Sequence, residues 1–317
     1  MPYYLHLIQA DSSLPDKSGG GDGRRFVILQ SEMAVTVIAI STTMPAVEAG
    51  SCRGKKGTAM QMRPSTVLKK LRAGETVLCY KTNLADARST EIAARAGFDC
   101  VWTCMEHVPN GWSAIEQQVW AAKAHDTDLL VRVSRGSYSD YIRPLEMDAA
   151  GIMVPHCMSA EDARSIVRIT RFHPIGRRPV DGGNADGGFC GIDFVEYIKQ
   201  ANEQRFVILQ IEDPEPMQQL DEIAAVEGYD MLFFGPGDYS HGLGIPAQFD
   251  DPRIVEARLR IAQVANQHGK FAGTMGTPDN VQELVDIGYR FVNVGADVVA
   301  LMHYCRGLIS RCPAHKR

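Results

Sequence analysis

Residues 206–238 read FVILQIEDPEPMQQLDEIAAVEGYDMLFFGPGD. Two apolar runs, FVILQI (206–211) and MLFFG (231–235), flank PMQQLDEIAAVEG, whose apolar residues recur every three or four positions before a closing glycine. A short apolar run bounded by turn signals suits a buried strand, and the middle segment has the period and stop of an amphipathic helix. Strands that are apolar on both faces, joined through a helix, pair in parallel under a helical layer. The first strand nevertheless runs into Glu212, Asp213 and Glu215, set among prolines. Packing alone gives no reason for a buried strand to end on carboxylates.

The same alternation extends in both directions. Further strand-like runs are TVLCY (76–80), CVWTC (100–104), LLVRV (129–133), GIMVP (151–155), KFAGT (270–274) and FVNVG (291–295), which brings the total to eight. Helical periods between them include ARSTEIAARAG, SAEDARSIVRITRF and PDNVQELVDIG. Eight such units over roughly 250 residues is the size of a (β/α)8 barrel. A doubly wound open sheet would want a GxGxxG turn after an early strand, and the sequence has none. The fold predicted is therefore α/β, a (β/α)8 TIM barrel over residues 62–317, behind an irregular N-terminal extension over residues 1–61.

That extension differs in composition. DKSGGGDGRR (16–25) is linker-like, and Arg24-Arg25 before FVIL resembles an export signal until Gln30, Ser31 and Glu32 interrupt the apolar stretch. RFVILQ occurs at both 25–30 and 205–210, but the following residues diverge at once, so the match reads as coincidence or one stray strand. The expectation for residues 1–61 is disorder, or a start assigned ahead of Met60 or Met62. No apolar segment is long enough to span a bilayer.

At 317 residues, 45% hydrophobic and 22% charged with a net charge of -5, the chain is long enough for a large core. It carries no basic footprint for nucleic acid or for an anionic membrane, so neither is an expected partner. Eight cysteines without a CxxC pair argue for a reducing cytoplasm and against a disulfide scaffold.

A barrel answers the question that the carboxylates raise, because barrel chemistry sits at the carboxyl ends of the strands. The polar residues at those ends are Glu106, His107, Arg132, Gln210, Glu212, Asp238 and Asp297. Glu212 and Asp238 follow adjacent strands at similar offsets, and their oxygens suit Mg2+ or Mn2+. Taken alone, Glu212 reads equally well as a cap on the next helix. Arg132 in LLVRV is costly to bury unpaired, so it points at an anionic substrate group in the barrel mouth or forms a salt bridge, for example to Glu146. His107 stands at a strand end, one strand before that arginine, which argues for an acid/base role, and a plain loop histidine is its alternative. Cys100, Cys104 and His107 resemble a zinc fragment. Strand positions four apart, however, lie more than ~12 Å from each other, too far for one ion. The glycine-rich segment GRRPVDGGNADGGFCGID (176–193) lacks P-loop spacing and reads as an active-site loop, a subunit contact or a lid without chemistry.

EHVPN, the arginine in LVRV, GIMVP, the GRRPV loop, the long stretch VILQIEDPEPMQQLDEIAAVEGYDMLFFGPGDYSHGLG and the closing GYRFVNVGAD together resemble the HpcH/HpaI family of class II pyruvate aldolases, over about residues 62–310. The resemblance implies a (β/α)8 barrel, a divalent metal ion (Mg2+, Mn2+ or Co2+) and interconversion of 4-hydroxy-2-oxo acids with pyruvate and an aldehyde. It implies Glu212 and Asp238 as metal ligands and Arg132 as the group that binds the oxo acid and steadies its enolate. It further implies His107 as acid/base and Gln210 with the Gly237–Asp238 backbone around the pyruvate moiety. It also implies a homo-oligomer, often a hexamer, that exchanges the last helix, and VVALMHYCRGLI near the C-terminus is apolar enough to pack on a neighbour or on its own chain.

The sequence departs from the family pattern at two places. Cys104 stands where an aspartate usually precedes the histidine by three residues, and Glu146 stands where an aspartate usually follows the arginine. Glu146 is retained as a longer catalytic carboxylate, whereas Cys104 cannot orient a charged histidine in the same way. The rival readings are an oxaloacetate-type decarboxylase or other carbon–carbon lyase on the same site, a CoA-ester lyase, and a non-catalytic barrel that senses an oxo acid.

Overall fold

The computed structural model describes residues 25–31, 34–40 and 60–312. Arg25–Ser31 (β1) and Ala34–Ile40 (β2) form an antiparallel hairpin with Arg25 opposite Ile40 and Ser31 opposite Ala34. Part of the expected irregular extension is thus regular, and the rest of residues 1–61, apart from Met60 and Gln61, lies outside the described residues.

The barrel is closed and entirely parallel, as expected. Its strands are β3 (Val77–Thr82), β4 (Cys100–Cys104), β5 (Asp128–Arg132), β6 (Gly151–Val154), β7 (Phe206–Ile211), β8 (Met231–Phe234), β9 (Phe271–Gly276) and β10 (Phe291–Ala296), with β10 pairing back onto β3. Eleven α-helices are described: α1 (Thr66–Arg72), α2 (Ala87–Arg95), α3 (Trp112–Lys123), α4 (Tyr138–Glu146), α5 (Ala160–Thr170), α6 (Phe194–Gln204), α7 (Leu220–Ala224), α8 (Pro236–Gly242), α9 (Pro252–Gln267), α10 (Val281–Asp286) and α11 (Asp297–Ser310). None is long and apolar enough to cross a membrane.

Local chemistry sets the helix ends. Asp86, Ser159, Asp193 and Asp251 accept first-turn N–H groups of α2, α5, α6 and α9, and Ser137 with Asp140 forms a capping box on α4. The stop glycines expected after α2 and α10 are Gly97 and Gly288, both in the left-handed region that glycine enters without strain.

Alternate strand residues divide between two cores. Val101, Leu129, Val131, Val207, Leu209 and Leu232 face the helices. Cys79, Trp102, Leu130, Met153, Ile208 and Phe233 fill the barrel interior. Interior packing pairs small with large: a Cβ on Gly151 would fall 2.3 Å from the Phe206 ring, and one on Gly273 would fall 2.8 Å from Phe233. Trp102, Phe233 and Phe291 stack edge to face across this core, with centroids 5.6 and 6.3 Å apart.

The face at the strand N-termini is sealed. Val67, Leu68 and Leu71 of α1 join the interior core from below. Asp128, at the start of β5, accepts the Ser65 hydroxyl at 2.5 Å, the Val67 N–H at 2.9 Å and Arg63 at 2.7 Å. The glycine-rich segment 176–193 belongs here, which corrects its reading as an active-site loop. It follows α5 and leads into α6, so it lies at the end of the barrel opposite the strand C-termini. A buried Arg178–Asp186 ion pair at 2.8 Å, a Tyr197 hydroxyl donated to Asp186 at 2.8 Å, and the cluster Met62, Phe172, Ile192, Tyr197 and Ala201 fix it in place.

Candidate active site

With one end plugged, the open end of the barrel collects the inward-facing residues at the strand C-termini. Cys104 and Arg132 are register partners on β4 and β5. The Nε and Nη2 hydrogens of Arg132 are both directed at the Cys104 sulfur, at 3.3 Å each, and its guanidinium lies 5.0 Å from the centroid of Trp102. Arg132 is only 4% exposed, and no side chain among the described residues is seated on its Nη1. Charge is thus buried with half of the fork open toward the mouth, as an anion site requires.

Glu106 follows β4 by two residues. Its Oε2 lies 3.0 Å from Arg132 Nε, but that nitrogen spends its single hydrogen on Cys104, so Oε2 is buried with no N–H aimed at it. Across the mouth, Glu212 is 1% exposed at the end of β7. One of its oxygens accepts the His156 N–H at 3.0 Å and the other accepts the Gln210 side-chain amide. Burial pushes the Glu212 carboxyl up to about 7, since a carboxylate is expensive in a dry site.

One ligand atom each from Glu106, Glu212 and His156 lie within 4.8 Å of one another. The His156 ring also bonds Asp213 at 2.8 Å. Burial alone would lower its pKa, but the bond to Asp213 and the charges of Glu212, Asp213 and Glu106 outweigh burial and raise it. Two carboxylates, one with an orphaned buried oxygen, and an imidazole form a donor set suited to a hard divalent cation such as Mg2+, Mn2+ or Co2+. A bound dication would also reverse the cost of ionising Glu212.

The other expected site residues are placed as follows. Gln210 stands beside Glu212, its Oε1 buried without a partner. Gly237 and Asp238 lie in the first turn of α8, both exposed, and Asp238 is not part of the three-residue cluster. Gly235, at the start of that turn, touches the cluster directly: a Cβ there would sit 2.7 Å from Glu212 Cβ and 2.9 Å from Gln210 Nε2. His107 is 56% exposed, with Nε2 3.4 Å from Glu106 Oε2 and its backbone N–H on Cys104 Sγ at 3.4 Å.

Of two further expected residues, Glu146 does not reach the mouth of this chain and Asp297 is taken up by backbone. Glu146 ends α4, where burial raises its pKa and its charged neighbours are Arg178, Asp186, Asp181 and Arg143, all at the plugged end or on its own helix. The proposed Arg132–Glu146 salt bridge is therefore replaced by Arg132–Glu106. Asp297 has a structural duty: it accepts the N–H groups of Asn83 and Leu84 and the Ser89 hydroxyl, tying the loop after β3 to the start of α11. Cys100 and Cys104 sit at opposite ends of β4, and neither joins a metal cluster among the described residues.

The sequence reading passed over His156 and Lys81. His156 immediately follows GIMVP, a strand end like those already flagged. Lys81 lies one residue past the strand as read, but it shares the parity of the inward-facing Val77 and Cys79, which was the available signal. Its ammonium rests 5.1 Å from the Trp102 centroid.

Fold and site together define a barrel enzyme whose chemistry, acidic and metal-seeking beside a buried arginine, lies at the strand C-termini. The model of the HpcH/HpaI aldolase/citrate lyase family matches residues 78–304, and the chain belongs to that family. It is 33% identical over 249 residues to a hydroxypyruvate/pyruvate aldolase of Roseobacter denitrificans, covering 78% of this chain and 96% of that one. It is 32% identical over 234 residues to the 2-keto-3-deoxy-L-rhamnonate aldolase of Escherichia coli K12, covering 73% and 86%. The crystal structure of an HpcH/HpaI aldolase from Desulfitobacterium hafniense superposes with a TM-score of 0.74 at 30% identity, covering 79% of this chain and 98% of that one.

Proposed function

We propose that this chain is a divalent-metal-dependent aldolase that reversibly cleaves a 4-hydroxy-2-oxo acid into pyruvate and an aldehyde. The observation that carries the reading is the convergence of Glu106 and Glu212 beside a buried Arg132 with an open fork. Glu212, Glu106 and His156 would hold the cation, and Asp238, the expected ligand from the neighbouring first turn of α8, would be a further carboxylate for it. The cation, when bound, polarises the substrate ketone and holds negative charge as the carbon–carbon bond breaks. Arg132 binds the oxo-acid carboxylate and steadies the enolate. Gln210 and the first-turn amides of Gly237 and Asp238, which a helix leaves unpaired, border the pyruvate moiety. His107, partly solvated and against Glu106, moves the proton of the 4-hydroxyl.

A second reading, decarboxylation of an oxaloacetate-type acid, is favoured by one observation. His107 lacks the aspartate that would orient it, because Cys104 faces Arg132 instead. Decarboxylation forms the same enolate without abstracting a hydroxyl proton. The relatives are named for aldolase activity on pyruvate and keto acids, which supports a small-molecule oxo acid as the substrate, and the free cysteines suit a cytoplasmic placement. The test is pyruvate release by metal-stripped protein from a panel of 4-hydroxy-2-oxo acids and oxaloacetate, with Mg2+, Mn2+ or Co2+ added back. Pyruvate with aldehyde, only when metal is present, supports the aldolase. Oxaloacetate turnover alone moves the assignment to decarboxylase, and silence on every substrate removes both.

A further inference from the structure

Among the described residues, Lys81 is the one cation of the barrel mouth that the reading above leaves without a task. It points inward from β3, opposite Trp102 in the β3–β4 register and Ala296 in the β10–β3 register. Its ammonium and the Arg132 guanidinium share the same indole, at 5.1 and 5.0 Å from the ring centroid. No carboxylate or other acceptor among the described residues is seated on Nζ; Glu106 and Asp297 act on it only through space. Both of these acids are otherwise engaged, Glu106 against Arg132 and the cation site, Asp297 by the N–H groups of Asn83 and Leu84 and the Ser89 hydroxyl. Two cations held on one ring repel, and a half-buried ammonium without an acceptor has lost water for no hydrogen bond in return. Burial depresses its pKa, and Arg132 adds to this. The arrangement is relieved by an anion with two negative ends.

We infer that Lys81 anchors a second carboxylate of the substrate, and that this enzyme acts on 2-oxo acids that are dicarboxylic, with Arg132 holding the carboxylate next to the ketone. The inference rests on the oxo-acid reading of the site. The alternative is a lysine that merely extends toward solvent along Trp102 and serves no ligand.

The experiment compares Mn2+-loaded wild type, Lys81→Met and Lys81→Arg on two 4-hydroxy-2-oxo acids of equal length, one ending in a methyl group and the other in a carboxylate. The Met variant is expected to lower the dicarboxylate-to-monocarboxylate ratio of kcat/KM by about 10- to 100-fold, the factor for one hydrogen bond to a charged group. Most of that loss should fall in KM, and Lys81→Arg should recover part of it. A ratio unchanged in Lys81→Met, or an equal fall on both substrates, overturns the proposal. So does a pyruvate adduct fixed on Lys81 by borohydride, which would make it a nucleophile. Calorimetry of the wild type with 2-oxoglutarate and 2-oxobutanoate keeps the proposal open to refutation if the variants fail to fold or no substrate is cleaved. At least about tenfold tighter binding of the dicarboxylate supports Lys81 as an anchor even where the aldolase reading fails, and equal binding refutes it.

Discussion

Arg132 and Glu212 show how single residues acquire unusual properties from where the barrel puts them. Arg132 is held by a sulfur, a carboxylate and an indole rather than by a bidentate acid, which leaves donors free for substrate. Lysine has no planar fork, so Arg132→Lys should lower kcat/KM by roughly 100-fold with the circular dichroism spectrum unchanged; a variant within twofold of wild type would mean that the guanidinium does not bind substrate. Glu212 makes a prediction about pH. Its folded pKa, near 7, lies above the ordinary carboxyl value of 4.5, so the folded chain keeps a proton that the unfolded chain releases between those values. In metal-free protein this contribution is present below about pH 4.5 and is lost as pH rises toward 7. Thermal unfolding without metal should therefore show Tm falling through that window, and Glu212→Gln should flatten the fall.

At the scale of elements, the fold was legible because most strands are short apolar runs buried on both faces and several helices carry a side-chain cap, as α2, α5, α6 and α9 do, or a stop glycine, as after α2 and α10, signals that are local in sequence. The eight strand positions read from those runs match β3 to β10 to within a residue or two. The site was legible only in part. Glu212, Gln210, Arg132 and His107 could be located because each trails or ends a strand, whereas pairing between loops is set by geometry that no local period encodes. Thus Arg132 pairs with Glu106 instead of Glu146, and His156 enters the cluster through a bend after β6 in which its own φ is positive. The glycine-rich segment misled because a long loop between strands can lie at either end of a barrel, and only the intervening α5 decides which. Gly235 is where element packing meets the site. Gly235→Ala would drive a methyl into Glu212 and Gln210, an overpacking that costs about 1–3 kcal/mol. Metal affinity should fall with modest loss of Tm, and wild-type affinity in that variant would show that the β8–α8 turn does not position Glu212.

For the whole molecule, the last helix is the conspicuous feature. Val299, Leu301, Met302, Tyr304 and Ile309 of α11 are each more than half exposed. Large apolar side chains gathered on one helix mark a surface that is covered in use, and we propose that it is the contact of a homo-oligomer. Light scattering should return a mass several times that of one chain, and Leu301→Asp with Tyr304→Asp should reduce it; a wild-type monomer at micromolar concentration contradicts the assembly. The cation site bears on everything above it, because Arg132, His107 and Lys81 have a reaction to serve only if Glu106 and Glu212 hold a metal. Mn2+ binding, titrated by calorimetry into metal-stripped wild type, Glu212→Gln and Glu106→Gln, reads that site without any substrate. One Mn2+ per chain in the wild type, with each variant weakened by at least about tenfold, is the expected result. Undiminished binding in both variants would contradict it.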